Sequence, residues 1–402
     1  MSGLHFSNSY RTILSIGRNF GLPLPFYDDN DPAKIPILHT IYEVSMAIFL
    51  IFKIACGIYT ITHNQKFDEV VYSFALTIFY AFGFFLLIFY AYRGSGFVAL
   101  ISDLDKLTER LQDSGFGEQE YFSRLHETDS TQLTMFIRVM CASSVICPFF
   151  FCLSVPAFGL IEGDYRLKVA VPTQCPFELH IPVLYEVIIF HQFLGLALPG
   201  VQKLGHECIV IALFKIHGSY FKYLSVTLRR LGNELALDED GAHKKFRSWL
   251  KLHQAVVRSS ANIIEFYSPV IITYLLSITG MVAASVFYLI NAPDANLIQS
   301  GFLGAYMFIT MFRLFLQCFM AQELSSQASN IADEIYNIPW YDFKKAYNEE
   351  IKLVLTLAIH PFYVEAYRAP GFRLDVNSFQ SFFTSTVSAF LAFNKMIEHD
   401  DE

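Results

Sequence analysis

The chain has 402 residues, of which 53% are hydrophobic and 16% charged, with 41 Phe and 22 Tyr. A soluble domain carries about a quarter charged residues, so this composition excludes an ordinary soluble protein and points to a polytopic membrane protein. A net charge of −8 and scattered basic residues exclude nucleic acid as a partner.

Residues 1–36 read as a cytosolic lead-in ending in GLPLPFYDDNDPAKIP. They hold no apolar run with a small-residue cleavage site, so no cleaved signal peptide is expected. The first span is expected from about Ile37 to Ile61, and Lys53 inside it should snorkel or face protein. The second runs from about Val70 to Tyr92, and Gly94-Ser95-Gly96 reads as a turn at its end. Arg93 to Ser130 is too polar for the membrane, with helical period in ISDLDKLTERL. The third span covers about Leu133 to Phe158, with Pro148 and Pro156 as expected kinks. A Pro-rich loop follows to Pro182.

The fourth span begins near Val183 and leaves the bilayer around Lys203, but its helical pattern continues as a projection beyond the membrane. His206 and Glu207 are adjacent and cannot share one face as a zinc pair would. They read as a solvated or interfacial step. The segment to about Ala261 is the basic part of the chain. The fifth span is expected from about Ile263 to Ile290. After NAPDAN, the sixth runs from about Leu297 to Met320, with Arg313 near its end. Gln322 to Asp375 is polar and helical. It holds an amphipathic helix near Lys344 to Ile359, stopped by Pro361, whose Leu, Val and Ile face needs a partner. The seventh span runs from Val376 to Ile397. The expected fold is therefore an all-α membrane protein with seven transmembrane helices. Its parts are a lead-in (1–36), a six-helix bundle (37–320), anchor helices (321–375), the last span (376–397) and a tail (398–402).

Basic residues set the orientation. The loops opposite the N-terminus and the C-terminal tail carry only Lys66, Arg166, Lys168 and Lys395, and Lys53, Arg138 and Arg313 lie within spans. All other Lys and Arg fall on the N-terminal side. The N-terminus is expected to be cytosolic and the C-terminus extracellular. A G-protein-coupled receptor has seven spans the other way up, and neither a DRY-like nor an NPxxY motif is present.

No enzyme signature is found: no GK[ST] phosphate loop, no HExxH and no GxSxG elbow. No cofactor or metal is expected. The seven cysteines form no CxxC pair; only Cys175 lies clearly in a loop, and buried free thiols are expected.

Two features remain. In the last span, Ser378, Ser381, Ser385, Ser388, Ala392 and Lys395 are spaced three and four apart, which puts them on one stripe. Phe379, Phe382, Phe383, Phe390 and Phe393 crowd its other faces. The stripe suits either small-residue packing inside one chain or a water-filled axis between several. The other feature is an aromatic zone in the outer half of the bundle. It comprises Tyr72, Leu76, Phe79 and Tyr80; Cys147 and Phe151; Ile188, His191 and Gln192; and Phe302, Tyr306 and Ile309. Aromatic walls with a few polar groups suit a small volatile ligand, and they also suit an aromatic bundle core.

DEIYNIPWYDFKKAYNEEIKLVLTLAIHPFYVEA and the later FQSFFTSTVSAFLAFNKM resemble the C-terminal third of insect odorant receptors. A Trp-containing turn precedes a helix, His360-Pro361 matches the polar-plus-Pro break, and Ser388 and Phe390 match the ending of the last span. Ala389 stands where the family usually has Tyr, and Ala392-Phe393 replace its Leu pair. The TYxxxxxQF ending of the sister gustatory receptors is absent. The resemblance extends over the whole chain in length, span count and inverted topology.

The resemblance implies a ligand-gated, non-selective cation channel in the plasma membrane of a sensory dendrite, with four subunits around one pore lined by the last span. Its partners would be an odorant, a co-receptor within the tetramer, membrane lipids and permeating cations. The odorant would sit in the outer half, among Tyr72, Leu76, Phe79, Tyr80, Cys147, Phe151, Ile188, His191, Phe302, Tyr306 and Ile309. The pore would be lined by Ser381, Ser385 and Ser388, and the gate would fall at Ala392 and Met396 with Lys395 between them. Trp340, Tyr341, Leu353 and Leu357 are the candidate anchor contacts between subunits. The co-receptor's extended loop after the fourth span is missing here, which marks the chain as an odorant-specific subunit. A gustatory-type channel is the nearest alternative, and a G-protein-coupled chemoreceptor the alternative from another class.

Overall fold

The computed structural model describes Leu14, Leu22 and residues 37–63, 66–116, 118–162, 182–237, 241–291, 297–342, 348–358 and 362–400. Among these residues there are eight α-helices and no β-strand. They are α1 (Ile37–His63), α2 (Phe67–Gln112), α3 (Gln119–Glu162), α4 (Pro182–Ala236), α5 (Ala242–Asn291), α6 (Leu297–Asn337), α7 (Asn348–Ala358) and α8 (Val376–Asp400). Six of them, α1 to α6, are long and apolar enough to cross a membrane, so the protein is a multi-pass membrane protein. α8, at 25 residues, has the length to do so. The lead-in, Cys175 and the 163–181 loop lie outside the described residues; the other six cysteines form no disulfide.

Helices α2 to α6 hold 41 to 55 residues each. That makes them roughly 60 to 80 Å long, about twice a bilayer's hydrocarbon core. Each is long enough to cross and then project, and the projecting ends meet on one side, where Thr108 of α2 reaches Tyr220 of α4 and His217 of α4 reaches Ser259 of α5. α2 packs along α5, α4 along α6 and α3, and α1 along α2. α3 runs through Pro148 and Pro156 as one helix.

Two sequence expectations need correction. Gly94-Ser95-Gly96 is not a turn but lies inside α2. Packing outweighs the roughly 1 kcal/mol that each helical Gly costs. Gly96 lies against the Phe266 ring of α5, where a Cβ would stand in van der Waals contact at 3.4 Å. His206 and Glu207 are not at an interface either; both are buried. α4 is walled by α2, α3, α5 and α6, and its segment Cys208 to Phe214 is buried at every position. Their polarity is answered inside the protein. Tyr90 Oη lies 2.8 Å from His206 Nδ1, and Tyr274 donates to Glu207 Oε1 at 3.0 Å.

α7 lays Ile351 and Val354 into the main core, against its own chain. Its Glu350 meets His243 at 3.1 Å and Arg247 at 2.7 Å. The connection into α8 is tight. Leu374 N–H bonds Val364 O at 2.9 Å, and Tyr367 and Arg368 take the left-handed backbone (φ 51° and 56°). Asp375 then caps α8. One carboxylate oxygen accepts Ser378 N–H at 2.6 Å and the other holds Arg373 at 2.7 Å.

Candidate functional site

The non-projecting half of the bundle encloses an apolar cavity of about 50 Å³. Helical spacing builds its walls. α2 contributes Ala75, Leu76 and Phe79; α3 contributes Ser144, Cys147 and Pro148; α4 contributes Leu196 and Gly200; α5 contributes Met281. α6 presents Phe302, Leu303, Tyr306, Ile309 and Arg313 along three turns of one face. The rings interlock: Phe79 stands edge-on to Tyr306 at 5.8 Å, and Phe151 stacks behind Phe302 at 3.8 Å.

One end of the cavity is charged. Arg313 lines it, buried to nine-tenths. Its Nη2 donates to Ser144 Oγ at 2.6 Å. Its Nε stands 3.6 Å from Glu207 Oε2, an ion pair longer than a hydrogen bond. Lys203 Nζ sits 4.8 Å over the Phe79 ring and 5.0 Å over Phe82, so a second cation approaches the same aromatic wall.

Of the residues singled out from sequence, Leu76, Phe79, Cys147, Phe302, Tyr306 and Ile309 line this cavity. Tyr72, Tyr80 and Phe151 are buried in the surrounding cluster, one layer back; Tyr72 packs edge-on against Tyr288. Ile188 is buried but does not line the cavity. His191 turns to α1 instead. Its Nδ1 lies 3.0 Å from Lys53 Nζ, and Phe49 stands edge-on to it at 5.1 Å. Lys53 thus faces protein. A Cβ at Gly195 would fall 2.7 Å from Lys53 Cε, so that glycine makes room for the lysine between α1 and α4. Arg313, Ser144, Pro148 and Met281 were missed. The signal for Arg313 was its register, four residues beyond Ile309 and seven beyond Tyr306 on one helix face.

On α8, Ser381, Ser385 and Ser388 are exposed. Phe379 and Phe382 turn the other way and pack on the core, with Phe379 edge-on to Phe315 of α6 at 5.4 Å. The side chains of Ala392, Lys395 and Met396 lie outside the described residues, as do those of Leu353 and Leu357. Trp340 and Tyr341 are exposed at the projecting end, 37% and 72% respectively.

The sequence model of the 7tm odorant receptor family matches residues 66–387. Odorant receptor Or2 of Anopheles gambiae is 23% identical over 164 residues, 39% of this chain and 42% of that receptor. Odorant receptor 10 of Aedes albopictus is 22% identical over 230 residues, 54% of this chain and 58% of that receptor. The chain thus spans about half the length of these curated relatives. The solved olfactory receptor OR5 of Machilis hrabei superposes with a TM-score of 0.73 at 14% identity, covering 95% of this chain and 96% of that one. Its complex with eugenol gives 0.72 at 15% identity, with 98% of both chains covered. At these identities the likeness is one of fold.

Proposed function

Because the chain belongs to the insect odorant receptor family, we propose that it is the odorant-binding subunit of a ligand-gated, non-selective cation channel. The observation that carries this reading is the enclosed apolar cavity walled by Phe79, Phe302 and Tyr306. Apolar walls with few polar groups are what a small volatile ligand needs. The Machilis receptor solved with eugenol supports an odorant in a bundle of this fold. The exposed Ser381, Ser385 and Ser388 stripe supports α8 as the pore helix, since it turns away from its own bundle. Exposed Trp340 and Tyr341 support an intersubunit contact at the projecting end, which we place in the cytosol. Only residues 237–241 join α4 to α5, which supports a subunit that works beside a longer-looped co-receptor.

The proposed mechanism runs through α6. At about 50 Å³ the cavity is smaller than the roughly 150 Å³ that holds benzene in a protein core. Ligand entry therefore has to widen it by moving aromatic walls. A ligand shifts the equilibrium by its greater affinity for the widened state. α6 carries Phe302 and Tyr306 on the cavity, and two residues past Arg313 it presents Phe315 to Phe379 of the pore helix. Movement of one rigid helix would then tilt α8 from the axis.

Whole-cell recording tests this, with a volatile panel applied to the chain alone and with a co-receptor. Odorant-evoked cation current in the pair is expected. Phe79→Ala, Tyr306→Ala and Tyr72→Ala should each shift the dose–response curve while leaving surface expression and a co-receptor agonist response intact. Unchanged curves in all three would remove the cavity from the reading. Surface expression with no current under either condition would remove the channel.

A further inference from the structure

We infer that the ligand of this cavity carries a hydrogen-bond acceptor oxygen on an apolar body, and that Arg313 binds that oxygen. This rests on the reading of the cavity as an odorant site. A guanidinium has five N–H donors. Among the described residues Arg313 makes one hydrogen bond, to Ser144 Oγ, and its buried Nε has none. Glu207 Oε2 faces that Nε at 3.6 Å as its ion-pair partner, so the donors left for a ligand are those on the two Nη atoms. The remaining donors belong to a side chain that is nine-tenths buried and lines the cavity.

Filling the cavity with a purely hydrocarbon ligand strips solvent from these donors and leaves them unanswered, which penalises binding. An oxygen at that end answers them. The charge balance decides between acceptor and donor. Arg313 and Lys203 supply two positive charges near the Phe79 wall, and Glu207 one negative. Glu207 itself does not line the cavity. The end of the cavity is therefore electropositive, and it favours a carbonyl, ester or carboxylate oxygen over a ligand N–H or O–H. The rest of the lining, Phe79, Phe302, Leu303, Tyr306 and Ile309, suits a short alkyl or aryl body.

The test is direct binding to the full chain in lipid nanodiscs, by titration calorimetry. The probes are alkanes, methyl ketones, methyl esters and carboxylates of matched length, from six to ten heavy atoms. The inference expects an oxygenated ligand to bind about tenfold or more tighter than the alkane of equal length. The carboxylate arm against the ketone and ester arms tells an anionic oxygen from a neutral one, and a preference for either supports the inference. In Arg313→Met combined with Glu207→Gln, which removes both members of the ion pair together, the preference should fall below threefold. Because the ligand comparison on the native chain needs no variant, a misfolded variant does not decide the matter. Alkane and oxygenated ligands binding equally would overturn the inference and leave the odorant cavity standing. No binding by any member of the series would overturn both.

Discussion

The same long helices build two unlike interiors. In the projecting half, several polar tips are matched across helices. Trp249 is fully buried, stacked between Phe246 and His253, and its indole N–H reaches Leu224 O at 3.0 Å. Thr108 meets Tyr220 at 2.6 Å, Ser114 meets Tyr223 at 3.0 Å, and His217 meets Ser259 at 3.0 Å. In the other half the walls are rings around a void. The buried Tyr72 hydroxyl and Arg313 Nε lack hydrogen-bond partners among the described residues. A close-packed, satisfied interior has one good arrangement. An interior with a gap and unanswered donors has room for another. Under the proposed function, the contrast gives one end of each helix to assembly and the other to a guest.

The largest effect should come from the packed half. Trp249→Ala removes a fully buried indole and its hydrogen bond, at a cost of about 3 to 5 kcal/mol. A thermal melt of the detergent-solubilised chain reads this, and lost surface expression would accompany it. Next comes the charged boundary between the halves. Arg313→Met alone strands Glu207 in a buried site and should cost about 3 kcal/mol. Adding Glu207→Gln should recover most of that in the same melt. A double variant as unstable as the single would mean that the pair does not act as a unit.

A matched pair of substitutions sharpens the comparison further. Ala321 is fully buried in the main core, so Ala321→Val should cost about 1 to 3 kcal/mol by overpacking. Ala75 lines the cavity, so Ala75→Val fills space that is already empty. Its melt should be unchanged or raised by about 1 kcal/mol, and its odorant sensitivity should fall. Equal losses at both sites would erase the difference between the two interiors.

Much of this was legible in the sequence. Length and apolar period located α1 to α6 and α8, and six of the residues read as a volatile-binding zone do line the void. The errors share a cause: each depends on which neighbour a helix meets. His191 read as cavity lining, but its partner is Lys53 of α1, and periodicity within α4 does not say which side α1 takes. Gly94-Ser95-Gly96 read as a turn because Gly is a local breaker, whereas α2 continues through it while packing along α5. His206 and Glu207 read as interfacial because they follow Lys203, where α4 was expected to leave the bilayer. The clue against that was nearby. Residues Cys208 to Phe214 are apolar on every face, the mark of a helix covered all round.

The smallest expected effect tests whether the packed half depends on charge at all. Glu350 of α7 holds His243 and Arg247 of α5, but the Arg247 side chain is 62% exposed. Exposed pairs gain little over solvent and lose that little to salt. Glu350→Gln should therefore cost no more than about 1 kcal/mol, and a melt in high salt should shrink the difference further. The apolar contacts of Ile351 and Val354 would hold α7 in place without it. If Glu350→Gln instead cost as much as Trp249→Ala, α7 would be held by its charges. The projecting half would then be a latch that salt can open, and the contrast with the cavity half would have to be drawn in electrostatics instead of packing.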